Sequence, residues 1–224
     1  MNREWPTVAE LSASAAAFFE PRHVEQAARV LQWALEYLLP RPEPVDDPSA
    51  RREARELLAT IGRAGWLQPI VDQDLRGLAL VRENIAAMSP LADAVVALQG
   101  LGGVPLLIAG TDAQRARWLP GITDGTCMAG FAMSEPEAGS DVAALQTHAT
   151  RDGASWVIDG EKHLISNAGL ADVYVVFART SPGPGSRGIS AFVVPAETAG
   201  LCFAGRHGIS LATAKRPLYP MYEF

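Results

Sequence analysis

Apolar residues recur at helical spacing through the first half of the chain. Val24, Ala27, Ala28, Leu31, Leu35 and Leu38 fall on one face and predict an amphipathic helix. Pro40, Pro42 and Pro44 end it, because proline cannot donate the helical hydrogen bond. Asp47-Pro48 supplies an N-cap and a proline for the first turn of a second helix, which carries Leu57, Leu58 and Ile61 to about Gly65. A third starts near Asp74 and runs through Leu78, Val81, Ile85 and Met88. A fourth carries Leu91, Val95 and Leu98 and is expected to break at Gly100, Gly102, Gly103 and Pro105. Thr111 with Gln114 is a capping-box pattern for a short helix that Pro120-Gly121 is expected to close.

The rhythm changes after Gly125. Short β-rich segments alternate with turn signals at Asp152-Gly153, Asp159-Gly160 and Asn167-Ala168-Gly169, and in the Pro/Gly-rich stretch 181–188. Residues 155–158 read as a strand, Gly160-Glu161 as a hairpin turn and 162–166 as the next strand. Residues 173–177 (VYVVF) and 189–194 (ISAFVV) read as buried strands, and 218–224 (LYPMYEF) as a further one. Helices first and strands second predict an α+β protein: an N-terminal all-helical domain over 1–125, then an antiparallel, barrel-like or sandwich β-domain over 126–224. No GxGxxG follows a strand, so a Rossmann-type dinucleotide fold is not supported.

Composition narrows the function classes. With 224 residues, 48% apolar and 20% charged, the chain reads as a globular protein. A net charge of −6 argues against nucleic acid as a partner but leaves room for a local polyanion site. Cys127 and Cys202 are too few for a disulfide framework or a zinc site and read as small, partly buried residues of a reducing compartment. The run 12–19 (SASAAAFF) lacks a basic start and reads as an ordinary helix. No apolar run approaches a membrane span, so the expectation is a cytoplasmic protein with no membrane partner. His23, His148, His163 and His207 share no metal spacing and are read as surface or strand positions. Glu135 and Glu137 are read as loop residues, and no metal ligand is proposed.

Candidate chemistry centres on 131–141 (FAMSEPEAGSD) and 160–169 (GEKHLISNAG). Each alone is a turn with exposed hydroxyls. Their chemical reading is a grip on a flavin ring by neutral donors: Ser134, Ser140 and Ser166 carry hydroxyls, and Gly139 lets the backbone approach a flat ligand.

Taken with 114–120 (QRARWLP), 131–147, 156–172, 177–179 (FAR) and 188–195 (GISAFVVP), these segments resemble the acyl-CoA dehydrogenases in order and spacing. The resemblance implies FAD as cofactor. Phe131, Met133, Ser134, Gly139 and Ser140 would wrap one side of the flavin, with Ser134 bonded to the ring. Leu164, Ile165 and Ser166 would lie along its other edge. Ser140 would meet the pantetheine or phosphate part of a thioester substrate, and Ser186 its nucleotide end. One departure is Leu164, where the family usually has tryptophan; leucine keeps the apolar contact and loses the stacking.

The family's general base, usually a glutamate, lies on a C-terminal helical bundle with no counterpart in these residues, so no catalytic residue is assigned. The expectation is the flavin-binding half of a split acyl-CoA dehydrogenase, inactive alone. A complementary chain would supply the base in a hetero-oligomer, the substrate would be an acyl thioester of coenzyme A or a carrier protein, and an electron-transfer flavoprotein or similar acceptor would take the electrons. A flavin-dependent oxidase or monooxygenase, or a non-catalytic interaction subunit, are the alternatives.

Overall fold

A computed structural model describes residues 16–203, 206–209 and 214–223. Half of the helix expected over 12–19 lies outside them; of that run Ala16–Phe18 form a 3-10 turn. Six α-helices follow: α1 (Pro21–Tyr37), α2 (Asp47–Arg63), α3 (Gln68–Val71), α4 (Leu75–Met88), α5 (Pro90–Ala109) and α6 (Asp112–Asp124). Side chains at their N-termini accept the orphan backbone donors. Asp46, one residue earlier than expected, accepts from Ser49 N at 2.8 Å, and Asp74 accepts from Gly77 N at 3.0 Å. Thr111 and Gln114 form the expected reciprocal box.

Three helical expectations are corrected. The buried stripe of α1 is His23, Ala27, Val30 and Ala34, while Val24 and Leu35 are 50% and 37% exposed. Small residues on the buried stripe let α1 lie close against α4. The second correction concerns α5, which runs unbroken through its glycines and Pro105. A Cβ at Gly102 would stand 2.4 Å from Ala129 Cβ, so glycine there permits helix and strand to touch. By length and composition α5 could cross a membrane, with a mean hydropathy of 1.8, contrary to the sequence reading. Part of its apolar surface packs against α2, α3, α4, α6 and the first strand, while Leu101 and Ile108 are exposed. Third, α6 passes Pro120-Gly121 and ends at Gly125, whose φ of 82° is the left-handed cap that glycine favours.

Seven strands follow: β1 (Ala129–Ala132), β2 (His148–Asp152), β3 (Ser155–His163), β4 (Val173–Arg179), β5 (Ile189–Pro195), β6 (Arg206–Ile209) and β7 (Ala214–Glu223). They form one sheet in the order β1-β4-β2-β3-β7-β6, with β5 also on β4. Helices then strands is the expected fold class. The sheet is mixed, however: β1 runs parallel to β4 from Ala129↔Val173 to Ala132↔Val176, while β2–β3, β3–β7, β4–β5 and β6–β7 are antiparallel. The excursion through β2 and β3 gives the chain room to return to β4 in the direction of β1. Gly160-Glu161 is an irregularity inside β3 rather than a hairpin turn. The last residue of the strand expected over 218–224 lies outside the described residues. A single apolar cluster joins Leu57, Ile61, Ile85 and Val95 of the helices to Met128, Ile165, Tyr174 and Val176 of the sheet half.

Candidate functional site

The site-bearing segments are short and irregular, and buried polar groups hold them. Beyond β1 the chain continues through residues 133–135; beyond β3 it turns over 164–170. His163 N donates to Ser134 O at 2.8 Å, which joins the two. Lys162 Nζ donates to Met133 O at 3.0 Å and to Glu135 Oε1 at 2.7 Å. Glu135 also accepts from the backbone N–H groups of Gln146 and Thr147. The side chains of Lys162 and Glu135 are 0% and 4% exposed. Burial pushes the Glu135 carboxyl up, but the hydrogen bonds from Lys162, Thr147 and Gln146 outweigh it and hold the group below the usual carboxylate range. Burial lowers the Lys162 ammonium against the pull of Glu135. Glu135 is therefore a loop residue, as expected, but a buried one that anchors its segment. A period-two reading of β3 could have found its partner, since Lys162 continues the inward row of Ile158 and Gly160.

A second set of clamps holds the turn after β3. Asn167 Nδ2 donates to Ala129 O at 3.0 Å. The Tyr174 hydroxyl accepts from Gly169 N at 2.9 Å and donates to Asn167 O at 3.3 Å. From α2, Arg51 donates to Gly169 O, and Arg55 grips Asp172 at 2.5 and 2.9 Å. Asp172 also accepts from Met128 N at 2.7 Å. Burial raises the Asp172 carboxyl, yet Arg55 and the Met128 amide hold it below its usual range. Gln99 of α5, fully buried, donates to Ile122 O and Cys127 O and accepts from Ala129 N at 2.8 Å, which fixes the start of β1. Of these groups only Asn167 and Gly169 stand out in the sequence, as a turn signal.

The structure brings Ser134 and Ser166 onto these adjoining segments. Both are half-buried, and neither hydroxyl has a partner among the described residues. Leu164 is 58% exposed at a φ of 58°, while Ile165 is buried in the core. Phe131 packs against Phe177, the rings tilted by 57° with centroids 5.1 Å apart. Met133 contributes a carbonyl already bound by Lys162. Gly139 and Ser140 are exposed, and a Cβ at Gly139 would meet nothing within 4 Å, so its backbone is uncrowded. Ser186 is exposed in the loop 181–188.

Two histidine and cysteine expectations change. His23 is fully buried: its Nδ1 accepts from Glu20 N at 2.9 Å and its Nε2 faces Asp74 Oδ1 at 3.2 Å. Cys127 is half-buried with its thiol pushed up to about 11 by burial, and Cys202 is exposed.

Unpartnered neutral hydroxyls beside an exposed aliphatic side chain suit a flat heteroaromatic ring. Serine hydroxyls are neutral donors, and the buried charges on the same segments, Lys162 and Glu135, satisfy each other. That donor set fits a ring whose own charge changes on reduction.

Residues 20–126 match the family model described as acyl-CoA dehydrogenase, N-terminal domain, and residues 130–222 match that of the acyl-CoA dehydrogenase middle domain. Cyclohex-1-ene-1-carbonyl-CoA dehydrogenase of Geobacter metallireducens is 36% identical over 172 residues, covering 74% of this chain and 45% of the relative. An acyl-CoA dehydrogenase of Bacillus subtilis is 31% identical over 153 residues, covering 65% and 40%. The crystal structure of a glutaryl-CoA dehydrogenase from Mycobacterium smegmatis in complex with FADH2 superimposes with a TM-score of 0.78 at 26% identity, covering 98% of this chain and 57% of that one. The chain thus spans less than half the length of the curated relatives named here.

Proposed function

This chain belongs to the acyl-CoA dehydrogenase family, and from that premise we propose that it forms the flavin side of a site for α,β-desaturation of an acyl thioester. The observation that carries the reading is the pair of unpartnered hydroxyls, Ser134 and Ser166, joined across two segments beside exposed Leu164. FAD, when bound, supplies the hydride-accepting chemistry. Ser134 and Ser166 would donate to its ring, Leu164 would cover it, and the backbone at 131–135 and 139–140 would line its edge. The Lys162–Glu135 pair keeps that edge in place. Ser140 and Ser186 would meet the thioester.

Proton removal needs a positioned base, worth typically ~100- to 10,000-fold. Glu135 cannot serve, because its oxygens accept from Lys162, Gln146 and Thr147 inside the protein. We propose that a complementary chain supplies the base, in a hetero-oligomer that passes electrons to an electron-transfer flavoprotein or similar acceptor.

Titration of FAD against the purified chain, alone and with a complementary polypeptide, tests both parts. Ser134→Ala and Ser166→Ala should each weaken FAD by about fivefold, one hydrogen bond of about 1 kcal/mol. Unchanged affinity and flavin spectrum in both variants would overturn the site. Full dehydrogenase turnover by the 224-residue chain alone would overturn the need for a partner.

A further inference from the structure

Arg179 closes β4, and its backbone is fixed where three strands meet. It pairs with Ile189 of β5 and with His148 of β2, and its N–H donates to Thr147 O at 2.8 Å. From that anchor the guanidinium reaches two surface turns. On one side it donates to Ala143 O at 2.8 Å, in the 3-10 turn Val142–Ala144 that follows Ser140 and Asp141. On the other it donates to Arg187 O at 3.0 Å, Gly183 O at 3.3 Å and Gly185 O at 3.4 Å, all in the loop that carries Ser186. No acidic side chain pairs with it among the described residues, so its partners are carbonyls alone.

Each turn also has local bonds of its own. Ala144 N donates to Asp141 O, and Arg187 N to Pro184 O. Thr180 N closes the base of the loop on Gly188 O at 2.7 Å, and the Thr180 and Ser190 hydroxyls meet at 2.8 Å. What neither turn fixes by itself is its distance from the other. A planar fork with five donors can span both, which a lysine ammonium on its flexible stem cannot.

We propose that Arg179 is a positioning residue that holds the Ser140 turn and the Ser186 loop in one frame, so that an extended ligand touching both is gripped at its two ends at once. The proposal rests on the thioester reading of Ser140 and Ser186 given above. A ligand that spans two turns gains when their separation is fixed in advance, whereas a ligand that reaches only one gains nothing from it. The uncompensated positive charge between the turns also favours a polyanionic ligand end.

Coenzyme A spans both turns under this reading, and pantetheine, without the nucleotide, reaches one. Calorimetric titration of the FAD-loaded protein with each compound compares the native chain with Arg179→Lys and Arg179→Gln. Both variants should weaken coenzyme A about tenfold, as for one charge-assisted hydrogen bond, and pantetheine less than about twofold. Equal weakening of the two compounds, or no selective loss of coenzyme A, overturns the proposal. Hydrogen exchange without any ligand gives an independent readout. In Arg179→Gln the Ala144 and Arg187 amides should lose protection together; loss at one turn only, or at neither, overturns the tether. Failure of FAD to bind, with or without a complementary polypeptide, would instead sink the flavin reading, and exchange would still decide the role of Arg179.

Discussion

Helices α1 to α6 and the turns beside Ser134 and Ser166 are fixed by different kinds of contact. Thr111 finds Gln114 three residues on, Asp46 finds Ser49, and the buried rows of α2 and α4 repeat at helical spacing. These are local relations reinforced by apolar packing. The turn at 164–170 is held instead by Arg51, 118 residues before Gly169. Residues 133–135 are held by Lys162 across a separation of 27. A helix satisfies its own backbone, but an irregular segment next to a core has to find polar partners elsewhere. In this protein the candidate site is built on the second kind of segment, so its geometry depends on a few buried polar groups.

The contrast is broken most directly at Lys162. Lys162→Met leaves the Glu135 carboxylate buried without its counter-ion, and loss of one partner of such a pair typically costs about 3–5 kcal/mol. Urea unfolding followed by circular dichroism should show a loss of that size. An apolar-for-apolar change at an exposed helix position such as Val24→Ala should stay within about 0.5 kcal/mol. Adding Glu135→Leu to Lys162→Met should restore part of the stability, since the amides of Gln146 and Thr147 still lose their acceptor. A loss below about 1 kcal/mol in Lys162→Met would mean the clamp is dispensable.

A smaller effect separates two glycines on one helix. Gly102→Ala drives a methyl to 2.4 Å from Ala129 Cβ and should cost about 1–3 kcal/mol. Gly100→Ala meets only Leu78 Cδ2 at 3.9 Å and should gain roughly 0.5–1 kcal/mol from helix propensity. Equal responses in the urea midpoint would show that the approach of α5 to β1 is not what glycine serves.

Those glycines also show why parts of the fold were hidden. The capping box at Thr111 was legible because its four residues contain its whole cause. The run from Gly100 to Pro105 reads as a break because local propensity opposes a helix, whereas contact with β1 rewards one there. On α1 both faces carry aliphatic residues, so periodicity alone could not tell the stripe at His23 and Val30 from that at Val24 and Leu35. Glu135 reads as a loop residue and Lys162 only as the start of a strand, and nothing local pairs them; the folded sheet half brings them together. The adjacency of 131–135 and 162–166 followed from family resemblance; the hydrogen bond between His163 and Ser134 is its physical basis.

Acid should loosen the clamps. Glu135 and Asp172 are both held below the usual carboxylate range, so the folded state takes up their protons less readily than the unfolded chain. Their stabilisation is therefore complete above the unfolded values, near pH ~4, and is lost as pH falls through the lowered folded ones. The urea midpoint should decline below about pH 4, and Glu135→Gln should make that decline shallower. An unchanged slope in Glu135→Gln would assign the acid sensitivity to other carboxylates.

The smallest expected effect concerns the one apolar side chain that the clamps leave facing outward. Leu164 is 58% exposed at a φ of 58°. Any side chain with a Cβ carries the strain of that backbone, so Leu164→Trp adds none. The indole would bury little against the protein itself, so the urea midpoint of the flavin-free chain should move by no more than about 0.5 kcal/mol. Over a bound flavin it could stack, which is worth about 1 kcal/mol, or roughly fivefold in FAD affinity. Tighter FAD binding with unchanged protein stability would place the side chain of residue 164 against the ring. A change in stability without a change in FAD affinity would return residue 164 to the packing of the sheet half and leave the two hydroxyls as the flavin contacts.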